Sequence, residues 1–110
     1  MDLQVEKFRV FVDRKWWRFA KPILQAKKIK NTVLVIFDYM AFPNGRPAPN
    51  LAAFDEAQKE VWVAASASTA GTDAYVNFLS EEPLRVWNFA GYECELDLAT
   101  GRVLKAQFTK

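Results

Sequence analysis

Histidine is absent from this chain of 110 residues, and cysteine occurs once. The first absence excludes a Ser-His-Asp or Cys-His catalytic site and any histidine-held metal. The second excludes an internal disulfide, so nothing calls for an oxidising compartment and a cytoplasmic setting is expected. Glycine is scarce, with four residues. Gly45 and Gly71 stand isolated, so there is no glycine-rich loop to cradle a phosphate. No aspartate-rich stretch has the spacing of a calcium loop. A metal would need Asp38, Asp55 and Asp73 to converge, and none is expected. Long apolar runs are lacking too. The longest, Thr32–Phe37, is far too short to cross a bilayer. The first thirty residues hold no apolar stretch of the kind a signal peptide needs. The reading is therefore a protein with no membrane partner, no cofactor and no catalytic residue.

What is present is apolar and aromatic. Residues of the apolar classes make 51% of the chain and aromatics 15%, which suits one domain over residues 1–110 with a core of its own. The patterning is β. Phe8, Val10 and Val12 alternate with Lys7 and Arg9, and Trp16–Phe19 follows after a tight turn at Asp13-Arg14-Lys15. Thr32–Phe37 is apolar on both faces and too short for a helix, which marks a central strand. Gln25–Lys30, Leu51–Asp55, Val61–Ala64, Ala74–Leu79 and Leu84–Phe89 read as further strands. Three prolines and a glycine in Pro43–Pro49 make Met40–Asn50 the longest loop, and Ser66–Asp73 is a second. Tyr92, Cys94 and Leu96 alternate with Glu93, Glu95 and Asp97, giving one wet acidic face and one buried face that takes the thiol inward. About eight antiparallel strands in a sandwich or strongly twisted sheet are expected.

Self-comparison shows a repeat at an offset of 42 residues. Phe54-Asp55-Glu56-Ala57 falls on Leu96-Asp97-Leu98-Ala99, and Glu60-Val61-Trp62 on Arg102-Val103-Leu104. Val33–Phe37 falls on Tyr75–Leu79, and one step back Val12-Asp13 falls on Phe54-Asp55. The unit is a strand ending in an aspartate that caps the following turn by bonding its own backbone two residues on. Its period matches a four-stranded propeller blade. The hairpin Leu96–Leu104 resembles the LD-x-x-TG-x-[VI]-L repeat of quinoprotein-type β-propellers, and the chain's ending is similar to that of small bacterial β proteins. The resemblance implies blade-like hairpins. It carries over no catalytic or cofactor residue, and the chain is too short to close a propeller.

The charge is uneven. Residues 1–30 hold nine Lys/Arg against three Asp/Glu, a net of +6, and residues 31–110 hold six against ten, a net of −4. Adjacent first and last strands would let these charges offset each other, and that arrangement is expected. The alternative is a nucleic-acid surface on which Arg14, Lys15, Lys27 and Lys28 are interleaved with Trp16 and Trp17. Glu93 and Glu95 stand about 7 Å apart along one strand face, a separation open to glycosidase chemistry but better suited to a solvated face. Protein binding has more support. The loops supply Tyr39, Phe42, Arg46 and Asp73, including the aromatic and arginine types that dominate interfaces. Trp87 and the Glu93/Glu95 face add a second candidate contact. The expectation is a non-enzymatic protein-binding module of the immunity or antitoxin type, inhibiting a toxin or effector stoichiometrically. The alternatives are nucleic-acid binding through residues 7–30 and a homo-oligomeric assembly protein.

Overall fold

The computed structural model describes residues 3–109. Eleven strands and one short 3-10 turn, Tyr39–Ala41, order the chain. The strands form three antiparallel sheets, each a simple meander. The first holds β1 (Gln4–Glu6), β2 (Arg9–Val12) and β3 (Lys15–Arg18). The second holds β4 (Ile23–Ile29), β5 (Thr32–Phe37), β6 (Leu51–Phe54) and β7 (Glu60–Val63). The third holds β8 (Tyr75–Glu81), β9 (Leu84–Asn88), β10 (Tyr92–Leu96) and β11 (Val103–Phe108).

Strand alternation divides the core in two. On β5, Val33 and Val35 face the first sheet, whereas Leu34 and Ile36 face the third. On β6, Ala52 and Phe54 face the first sheet, whereas Leu51 and Ala53 face the third. The second sheet is thus the middle layer. The first core adds Val10, Val12 and Trp17, and the second adds Tyr75, Leu84, Val86, Cys94 and Leu96. The both-faces-apolar pattern of Thr32–Phe37 marks this layer directly, because a strand packed on both sides has no wet face to alternate with.

The fold is all-β in a single domain, a layered antiparallel sandwich of blade-like meanders that does not close. Strands outnumber the expected eight or so, with β1 splitting off from the Glu6–Val12 stretch, and several of the turns between strands close without glycine. Asp13 (φ 47°) and Arg14 (φ 69°) close β2–β3, Lys30 (φ 56°) closes β4–β5, and Gln58 (φ 63°) stands in the β6–β7 turn. The stretch Glu6–Val12 also divides: β1 ends at Glu6, so Phe8 falls in a turn and is exposed instead of joining Val10 and Val12.

The repeat is real in its hairpins and misleading elsewhere. The β6–β7 and β10–β11 hairpins are the third and fourth strands of equal meanders. Asp55 Oδ1 accepts from the amides of Ala57 and Lys59, and Asp97 Oδ1 from the amide of Ala99. β5 and β8, aligned by the same offset, hold different places: second in one sheet, first in the next. Asp13 caps no turn of this kind and accepts from Lys28 Nζ at 2.8 Å. The first and last strands are not neighbours either. β1 pairs with β2 and β11 with β10, in sheets on opposite sides of the middle layer. The basic residues are offset locally: Arg9 by Glu6, Lys28 by Asp13 and Glu56, Lys27 by Glu81.

The two upper layers are pinned where the β10–β11 turn meets β7. Trp62 Nε1 donates to the Leu98 carbonyl at 2.9 Å, and the Ala65 amide to the Gly101 carbonyl at 3.2 Å. Gly101 sits at φ 75°, and a Cβ there would lie 2.2 Å from Trp62 Cε3. Gly101→Ala combines left-handed strain with a collision against a buried ring. We expect it to cost about 2–3 kcal/mol, read as a lower urea midpoint by tryptophan fluorescence.

Candidate functional site

The long loops converge because a buried polar network holds them. Asn50, Asp73 and Asn88 are fully buried yet satisfied. Asn50 Nδ2 donates to the carbonyls of Phe37 and Tyr75, and its Oδ1 accepts from the Tyr75 amide. Asp73 Oδ2 accepts from the amide and hydroxyl of Ser68, and Oδ1 from Asn88 Nδ2 at 2.9 Å. Asn88 Oδ1 accepts in turn from the Ala90 amide, and the Ala48 amide donates to the Asp73 carbonyl. Loops 38–50, 64–74 and 88–91 are therefore tied at their bases. Unmade bonds at such a depth cost more than made ones contribute, so the network fixes one arrangement.

Above it lies a cavity of about 180 Å³, lined among others by Tyr39, Met40, Arg46, Asp73 and Phe89. Tyr39 stacks on Phe89, with ring centroids 5.7 Å apart and planes 14° apart. Phe89 is held in reach by its amide, which donates to the Ala74 carbonyl at 2.8 Å. Met40 is 75% exposed, and the Asp38 carboxylate fixes its backbone by accepting from its amide. Exposed apolar side chains on an ordered backbone, with an arginine beside them, form a binding surface that needs little reordering.

The expected contact residues divide among three places. Tyr39, Arg46 and Asp73 meet at this cavity, but Asp73 turns its carboxylate into the network and has none left for a partner. Phe42 faces a different groove, of about 300 Å³, where Lys21 lies over its ring at 5.4 Å. Trp87, Glu93 and Glu95 lie on the outer face of the third sheet. That face is mixed in charge: Glu95 lies 3.7 Å from Arg85, and Lys105 lines the same shallow hollow. Among the described residues no group of acidic and cysteine side chains is placed to hold a metal ion. Met40 and Phe89 were not among the expected residues. Phe89 lies fifty positions from its stacking partner Tyr39, and nothing local announces the pairing.

The nucleic-acid residues do not assemble into one surface. Trp17 is buried, with 5% exposure, whereas Trp16 faces outward with Arg9 over its ring at 4.0 Å. Lys27 and Lys28 leave β4 on opposite faces, toward Glu81 and Asp13.

Cys94 and Tyr75 lie beneath the network. Burial, reinforced by the Asp73 carboxylate, pushes the Cys94 thiol up to about 11. Burial, and then the neighbouring Cys94 and Asp73, hold the Tyr75 hydroxyl well above its ordinary range, and that hydroxyl donates to the Ala65 carbonyl at 2.6 Å. The thiol is thus protonated and shielded, which is how an inert core cysteine behaves.

A model of the Domain of unknown function (DUF7957) family matches residues 1–108. The all-β chain described above belongs to that family. No curated protein and no solved structure matches it. No helix among the described residues is long and apolar enough to cross a membrane.

The raised thiol and phenol set a pH dependence. The folded chain keeps both protons where the unfolded chain, near the ordinary values of 9.0 and 10.0, releases them. Stability should hold below about pH 9 and fall as pH rises through about 11. Urea midpoints at about pH 8 and about pH 10.5 measure this, and Cys94→Ala should flatten the fall. A thiol reagent should label Cys94 only after unfolding.

Proposed function

We propose that the protein is a non-enzymatic protein-binding module whose contact is the loop surface of Tyr39, Met40, Arg46 and Phe89. One observation carries this reading: exposed aromatic and methionine side chains stand on loops whose bases are fixed by the Asn50–Asp73–Asn88 network. Pre-ordered loops spare a complex the entropy of arranging them on contact. Methionine adapts to an apolar partner, and stacked rings offer wide area with few rotamers to lose. Within this class the chain acts stoichiometrically, as an immunity or antitoxin-type inhibitor that covers a working surface of a toxin or effector. The lack of histidine-based catalysis supports that narrower reading. A cytoplasmic setting goes with it, since the lone thiol needs no oxidising compartment.

The mixed charge around Glu93 and Glu95 favours the loop surface over the acidic strand as the contact. Affinity capture should retain one protein at near-equal abundance with the native chain. Met40→Asp with Phe89→Asp should lose it, by tenfold or more in affinity, while Glu93→Gln with Glu95→Gln keeps it. Isothermal titration of the captured protein checks the 1:1 ratio, and an assay of that protein's own activity checks inhibition. Equal retention by the loop variant, or no retained protein, overturns the proposal.

A further inference from the structure

The first sheet turns one face to the middle layer, and its other face meets neither core. Val10, Val12 and Trp17 point inward, so alternation sends Arg9, Phe11, Trp16 and Arg18 to the opposite side. Pairing sets these residues in two rows. Gln4 lies opposite Phe11 and Phe11 opposite Trp16, while Glu6 lies opposite Arg9 and Arg9 opposite Arg18. The rows are about 7 Å apart along the strands. Side-chain contacts agree with this placement. The Phe11 and Trp16 rings have centroids 5.1 Å apart, and the Arg9 guanidinium lies over Trp16 at 4.0 Å. Of the nucleic-acid candidates named from the sequence, Trp16 is the one that alternation puts on this face, and strand register gives it different companions.

The charge of the face is unbalanced. Arg9 and Arg18 stand directly across from each other, an opposition of like charges that costs stability. Glu6 Oε1 takes Arg9 Nε at 2.6 Å, and among the described residues no carboxylate pairs with Arg18. Lys7 adds a cation over the ring of Phe8 at 5.6 Å, also without an ion pair among the described residues. These groups line a shallow hollow of about 430 Å³ together with Phe8, which is 45% exposed. Along β2 the cation row therefore separates one aromatic platform, Phe8, from another, Phe11 with Trp16.

We propose that this face binds a single strand of nucleic acid. A phosphate between Arg9 and Arg18 accepts from both guanidinium groups and removes their repulsion. One base stacks on Phe11 and on the Arg9 plane that Trp16 supports, and a neighbouring base on Phe8. Two features select this occupant. A protein contact keeps charge out of its centre, whereas here unpaired cations sit between the rings. A duplex holds its bases stacked inside and has none to offer the rings. The contacts reach base and phosphate, which DNA and RNA share, so both bind. The face is separate from the loop surface of Tyr39 and Phe89, and neither depends on the other.

Fluorescently labelled oligothymidylate and oligouridylate of about 15 nucleotides are the probes, read by anisotropy. Both should bind the native chain, and a duplex of the same length should bind about fivefold or more weakly. With Lys7, Arg9 and Arg18 on phosphates, affinity should fall about 20-fold between about 50 and about 200 mM salt. Arg18→Gln, at an exposed position, should bind more weakly and lose only about sevenfold over the same range. Phe11→Ser should lose about fivefold or more in affinity with an unchanged circular dichroism spectrum. Lys105→Gln removes the same charge from the third sheet and should bind as the native chain does. No anisotropy change at about 50 mM salt overturns the proposal. So does a duplex bound as tightly as the single strands, or an Arg18→Gln variant indistinguishable from the native chain. A captured protein that Phe11→Ser releases, while neither oligonucleotide binds, would assign the face to that protein and also overturns it.

Discussion

The middle sheet is buried on both faces, and the rest of the molecule is arranged around that burial. Val33, Leu34, Val35 and Ile36 are all at 0% exposure, so β5 makes two cores at once. Neither outer sheet could stand alone. A three- or four-stranded meander of this length has one apolar face and must place it on something. The middle sheet offers both of its faces, and the flanking sheets take one each. β6 makes this possible with Ala52 and Ala53, small residues whose side chains point to opposite layers. A stack of this kind has an interior without needing to close.

Polar order depends on the same burial. The chain crosses from layer to layer through loops, and those loops bring backbone groups beneath the surface. Asn50 bonds both the Phe37 carbonyl at the end of β5 and the backbone of Tyr75 at the start of β8. One side chain therefore couples the middle sheet to the third. Asp73 and Asn88 extend the coupling to the Ser68 and Ala90 turns. The loop surface above is ordered by a network whose members are spent on structure, which is why Asp73 stands in its wall without acting at it.

Much of this was legible in the residues. The both-sided run at Thr32–Phe37 marked the central strand, and the alternation through Tyr92–Leu96 placed Cys94 inward, because burial on one or two faces writes itself directly into period. The aspartate turns at Asp55 and Asp97 were legible because a side chain bonding its own backbone is a local event. What was hidden is tertiary. Sequence alignment set β5 on β8, but place within a sheet depends on how many strands precede it, and the offset cannot record that. The pairing of Lys28 with Asp13 and of Tyr39 with Phe89 joins segments fifteen and fifty residues apart with no motif between them. Turns at Lys30 and Gln58 adopt positive φ without the glycine that announces it.

An open stack has a consequence that a closed one avoids. Each layer must end, and the ends leave apolar surface behind. The first sheet has three strands against the middle sheet's four, and on β7 Val61 and Val63 stay exposed. The groove of Phe19, Phe37, Phe42, Phe54 and Val63 opens there, with Lys21 and Glu60 at its margins. On the outer face of the first sheet, Arg9 lies across Trp16 and ties to Glu6, which hydrates an aromatic surface with charge. At β11 the only charge is Lys105, on the polar face, and Leu104 and Phe108 have no such cover. The three terminations are thus treated differently by the same sequence. Two are fringed with ionised side chains. The third leaves Leu104 and Phe108 exposed beside an unpaired backbone edge, with the Phe108 ring edge-on against Tyr92 as its neighbour.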